Sequence, residues 1–87
     1  MSDLVKIEVL FFAKARELVG KSSSTCDIPA SCTYFQLVEA VKKHFPDLHK
    51  LGNTFVLSLN ENYLEEEGLL QINQGDELAI IPPISGG

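Results

Sequence analysis

From Val5 to Phe11 the apolar residues Val5, Ile7, Val9 and Phe11 recur at every second position, which predicts a half-buried strand. Ala13 to Val19 is rich in helix formers and stops at Gly20, predicting a short helix closed by a left-handed glycine. A second strand is expected over Ser24 to Ile28, ahead of Pro29. The clearest signal is Thr33 to Phe45, where Tyr34, Leu37, Val38, Val41 and Phe45 form one buried helical stripe. Thr33 with Gln36 makes a capping box, Lys42 and Lys43 suit the negative helix end, and Pro46 stops the helix. Phe55, Leu57 and Leu59 then alternate with Val56, Ser58 and Asn60 as a third strand. A polar turn at Asn60 to Asn62 leads to a short fourth strand at Tyr63 and Leu64. Gly75-Asp76 turns into a last strand, Glu77 to Ile81, which Pro82-Pro83 ends because proline cannot donate to a ladder.

One long amphipathic helix among four or five strands suits an α+β domain of β-grasp, or ubiquitin-like, architecture. A mixed sheet would bury one face on the helix stripe, with the short helix beside it. The expected division is a domain over 1–81 and a flexible tail over 82–87. With 87 residues there is room for one thin core, and a deep enclosed catalytic pocket is not expected in the body.

The net charge of −5 has the wrong sign for gripping phosphate backbones, so nucleic acid is not an expected partner. Residues 61–87 carry six acids (Glu61, Glu65, Glu66, Glu67, Asp76, Glu77) and neither Lys nor Arg. That stretch is either a solvated face or a surface that steers the chain toward a basic partner. Cys26 and Cys32 are too few for a disulfide scaffold and read as structural residues of a reducing compartment. No metal-ligand spacing surrounds them, and Pro46 separates His44 from His49, so no metal site is expected. The longest apolar run, Val9 to Ala13, is too short to span a bilayer; no membrane association is expected and the cytosol is the expected location.

The chemistry concentrates at Pro82-Pro83-Ile84-Ser85-Gly86-Gly87. Two glycines without Cβ atoms let a backbone enter a narrow channel, leaving the Gly87 carboxylate as the reactive group. Extended at about 3.3 Å per residue, these six residues would reach about 20 Å, with the prolines stiffening the base. A carboxylate is a poor electrophile until activated. ATP can activate it as an acyl-adenylate in a partner's site, and sulfur attack would then leave a thiocarboxylate.

Two blocks carry a family resemblance: Val9-Leu10-Phe11-Phe12-Ala13-Lys14-Ala15-Arg16-Glu17-Leu18-Val19-Gly20, and Gly75-Asp76-Glu77 through Pro82-Pro83-Ile84-Ser85-Gly86-Gly87. In both, the chain resembles the small, sulfur-carrier subunits of molybdopterin synthase. The resemblance implies that an E1-like enzyme adenylates Gly87 using ATP, that a sulfur donor converts the glycyl adenylate to a thiocarboxylate, and that no cofactor is held permanently. It implies further that Pro82, Pro83, Ile84, Ser85 and Gly86 thread into a large catalytic subunit within a heterotetramer of two large and two small subunits. There two carried sulfurs would turn cyclic pyranopterin monophosphate into the molybdopterin dithiolene. The small subunit would itself be non-catalytic.

Strand alternation independently sets Leu10 and Phe12 opposite Val9 and Phe11, and Ile81 opposite Leu78 and Ile80. First and last strands are neighbours in a β-grasp sheet, so Phe12, Leu10 and Ile81 are expected to form an apolar partner surface at the root of the tail. Three competing readings share parts of this pattern: a sulfur carrier for thiamine synthesis or tRNA thiolation, a ubiquitin-like protein modifier, and an interaction module with an inert tail. Pro82-Pro83 argues against the first. The lack of a basic residue at Ile84-Ser85 argues against the second.

Overall fold

A computed structural model describes residues 3–52 and 54–83; Met1, Ser2, Asn53 and Ile84 to Gly87 lie outside the described residues. Strand β1 (Leu4–Phe11) is followed by helix α1 (Ala13–Val19), β2 (Ser23–Pro29), β3 (Ser31–Thr33) and helix α2 (Tyr34–His44). A 3-10 helix (Pro46–Leu51) then leads to β4 (Val56–Leu59), β5 (Asn62–Tyr63), β6 (Leu69–Gln71) and β7 (Glu77–Ile81). The main sheet has the order β2-β1-β7-β4-β5, with β1 and β7 parallel and the other pairs antiparallel. With α2 across one face, this is the β-grasp architecture expected from the sequence.

The inner face follows from period two. Ile7, Val9 and Phe11 of β1, Ile28 of β2, Leu57 of β4, and Leu78 and Ile80 of β7 are all buried. Across the ladders Phe11, Ile80 and Leu57 share a row. The helix supplies the other half of the core through Tyr34, Leu37 and Val41, and Phe45 meets Phe11 edge to face at 5.0 Å between ring centroids. The capping box is present as read: the Gln36 N–H donates to Thr33 Oγ1 at 3.2 Å, and the Thr33 N–H donates to Gln36 Oε1 at 2.9 Å. Leu37 is fully enclosed. Leu37→Ala should therefore cost about 2 to 5 kcal/mol in a urea titration, a large share of a small domain's stability.

Three features were not legible in the periodicity. β3 and β6 form a separate two-stranded sheet pairing Cys32 with Leu70, three residues a side, too short for alternation to register. Beyond α2 the chain does not simply become loop: Pro46 opens the 3-10 helix, whose Leu48 is buried. The third strand begins at Val56 instead of Phe55, and the fourth is Asn62 and Tyr63 instead of Tyr63 and Leu64. That shift follows from a two-residue hairpin at Asn60 and Glu61, both at positive φ. Asp76 belongs to the same corner, since Asn60 Nδ2 donates to Asp76 Oδ1 at 3.1 Å and the Asn73 N–H donates to Asp76 Oδ2 at 2.8 Å. One of the six C-terminal acids is therefore part of the turn that starts β7.

Candidate functional site at the root of the C-terminal segment

β7 runs parallel to β1 through the middle of the sheet and delivers the chain to Pro82, which is buried, and Pro83, which is exposed. Burial ends between the two prolines. Of the residues expected to thread into a partner, Pro82 and Pro83 are placed here; Ile84, Ser85, Gly86 and the reacting Gly87 lie outside the described residues.

Next to this exit the sequence breaks two local rules. Phe12 is the N-cap of α1, a position that favours Ser, Thr, Asp or Asn, yet it has no oxygen to offer and makes no side-chain cap. Ala13, the first helical residue, sits at φ +49°, a left-handed conformation that costs a residue with a Cβ roughly 1 kcal/mol. Together they turn the chain sharply from β1 into α1. The Phe12 N–H stays pinned to the Ile80 carbonyl at 3.3 Å, and the ring is left 47% exposed. Local strain, a missing cap and a surface aromatic thus coincide at this corner.

The outer face of the sheet continues from that ring. Ile81 pairs with Val56, itself 47% exposed, and Leu10 lies in one row with Ala79, Ser58 and Tyr63. Phe12, Leu10 and Ile81 thus occupy the same outer face as the sequence reading expected, Leu10 and Ile81 being half-buried. Val56 and Tyr63 join them. Alternation about Leu57 already carried that signal, because Val56 is out of phase with the buried Leu57. Beside Pro82 and Pro83 lies a groove of about 560 Å³ lined by Ala13, Lys14 and Glu17 of α1 and by Leu51 and Thr54.

The remaining candidates stay apart from this root. Cys26 and Cys32 are free and buried in the core. Burial, helped by the Asp27 carboxylate, pushes the Cys26 thiol from 9.0 to about 11, and burial also raises Cys32. At pH 8 both should resist iodoacetamide in the folded chain and react promptly in urea, as thiol counting would show. Because the folded chain holds the Cys26 proton that the unfolded chain releases near 9.0, this contribution to stability is full below pH 9 and is lost as pH rises toward 11. The His44 ring Nε2 lies 2.9 Å from the Asp27 carbonyl oxygen at the sheet edge. Among the described residues no group of three or more His, Cys, Asp and Glu is arranged to hold a metal, and no helix is long and apolar enough to cross a membrane.

Fold and site together define a small ubiquitin-like protein whose apolar outer sheet face adjoins Pro82 and Pro83, the first residues of a segment that the sequence continues to Gly86-Gly87. The chain belongs to the ThiS family, whose profile matches residues 9–87. It is 38% identical over 88 residues to the molybdopterin synthase sulfur carrier subunit of Homo sapiens, covering 100% of both chains. To the protein of that name in Arabidopsis thaliana it is 43% identical over 83 residues, covering 95% of this chain and 84% of the other. Its fold is similar to a chain in the complex of subunits 1 and 2 of molybdopterin-converting factor from Helicobacter pylori, with a TM-score of 0.66 at 18% identity over 95% of this chain and 100% of that one.

Proposed function

We propose that this chain is the sulfur carrier subunit of a molybdopterin synthase. The observation that carries the reading is the full-length similarity to proteins of that name, which spans both the sheet face and the residues to Gly87. The Gly87 carboxylate oxygen attacks the α-phosphorus of ATP in an E1-like enzyme, releasing pyrophosphate. A sulfur nucleophile then displaces AMP from the acyl carbon, leaving a thiocarboxylate. In the synthase, the thiocarboxylate sulfur bonds to a carbon of cyclic pyranopterin monophosphate in place of an oxygen substituent, and water then cleaves the acyl carbon–sulfur bond, so that the sulfur stays on the pterin and the carrier returns as the carboxylate. Two such transfers complete the dithiolene.

The described part of the chain does the binding. The apolar face of Phe12, Leu10 and Ile81, extended by Val56, seats the large subunit, while Pro82 and Pro83 hold the start of the segment in a limited set of conformations and reduce the entropy lost on threading. The pocket that holds the pterin belongs to the large subunit in this reading. The cytosol, where the two cysteines stay reduced, is the fitting compartment.

A reconstitution separates this reading from its rivals. Thiocarboxylated chain, large subunit and cyclic pyranopterin monophosphate should yield the dithiolene with two carriers consumed per product, and the uncharged chain should yield none. Delivery of sulfur to a thiamine-thiazole or tRNA acceptor in preference to the pterin would overturn the assignment.

A further inference from the structure

On the helix side of the sheet, away from the outer face, a pocket of about 90 Å³ is lined by Tyr34, Phe35, Val38, Phe55 and Glu66. Three of its five walls are aromatic. Tyr34 and Phe35 stand nearly perpendicular, with an 88° interplanar angle and 6.2 Å between centroids, and form a corner. Phe35 is 65% exposed and forms the rim. The Glu66 carboxylate closes the remaining side and is near enough to add to the upward push that burial gives the Tyr34 phenol.

An aromatic corner with one carboxylate attracts an organic cation: the ring faces are negative and the carboxylate supplies the counter-charge. A ring of this pocket already meets a cation from outside it, since Lys42 Nζ lies 5.6 Å from the Phe55 centroid. At about 90 Å³ the cavity has room for the head of one side chain. A planar guanidinium fits better than an ammonium, because it stacks on the rings while meeting Glu66 through two N–H groups. Charges of both signs surround the mouth, with Glu66 on one wall and Lys42 against the Phe55 ring on another, so it is on the Glu66 side that a cation is drawn in.

We propose that this pocket is a second docking point, which receives an arginine side chain of a partner protein while the outer sheet face and the C-terminal segment remain open. Such a contact anchors the chain by its helix side and leaves its sulfur-bearing end free to act. The inference rests on the described residues alone and its test needs no sulfur chemistry, so it stands or falls separately from the carrier reading.

The probe is N-acetyl-arginine N-methylamide, titrated into the full isotope-labelled chain and followed by amide chemical shifts. Saturable shifts are expected at Phe35, Val38, Phe55 and Glu66, weakening as salt is raised. The neutral citrulline analogue should cause none. Phe35→Ala and Glu66→Gln change exposed side chains, so each should keep its thermal transition, and each should weaken binding at least fivefold. Absence of saturable shifts up to roughly 50 mM, where cation–aromatic and ion-pair contacts of this kind register, overturns the proposal. So do equal shifts with citrulline or indifference to both substitutions in folded protein. Tighter binding of the matching lysine derivative overturns the guanidinium assignment.

Discussion

Deleting Gly87, or adding one residue after it, is expected to abolish thiocarboxylate formation while the thermal unfolding of the domain stays unchanged. The two halves of this result have separate causes. Among the described residues the buried core runs from Ile7 to Ile80, and a glycine has no side chain to add to it, so stability is expected to be indifferent to the change. The chemistry needs a free carboxylate at one place: an added residue turns the Gly87 carboxylate into an amide, which cannot attack phosphorus, and carries the new carboxylate about 3.3 Å beyond the reacting position. Displacements of even an ångström cost on the order of a hundredfold in rate, so loss to background is expected. Accumulation of thiocarboxylate on the extended chain at the unaltered rate would contradict this.

Phe12→Asp should move stability and partner binding in opposite directions. Phe12 fills the N-cap of α1 without capping it, and aspartate is among the best residues there, so the folded state should gain up to about 1 kcal/mol. The same change puts a carboxylate in the middle of the apolar face beside Ile81 and Val56, where docking would strip its water. If this face seats the large subunit, affinity should fall by about 2 kcal/mol or more, roughly thirtyfold, by calorimetry. Ile81→Asp should weaken binding as strongly. Its fold is to be checked by amide spectra, because Ile81 is half-buried and paired with Val56. Unaltered affinity in both folded variants would move the interface elsewhere.

The main sheet and α2 were readable because each has an unbroken hydrophobic period. Val5 to Phe11 alternates over seven residues, and Tyr34 to Phe45 holds one stripe through three turns. The outer face followed from the same alternation, since whatever is out of phase with Ile7, Val9, Leu78 and Ile80 must point away from the helix. The β3–β6 pair was not readable, because Ser31–Thr33 and Leu69–Gln71 are placed by each other across about forty residues and neither shows a pattern of its own. The aromatic pocket escaped for a related reason. Phe55 and Glu66 come from segments far from Tyr34 and Phe35, and only the packing of β4's approach against α2 brings them together.

The central claim is that a sulfur is carried on Gly87. Incubating the chain with a competent activating enzyme, ATP and a sulfur source, then measuring intact mass and fragmenting from the C-terminus, tests it most directly. The account predicts a gain of about 16 Da, oxygen replaced by sulfur, confined to the fragment containing Gly87. An unchanged mass with an enzyme that charges a known carrier, or the same gain on another residue, would contradict it.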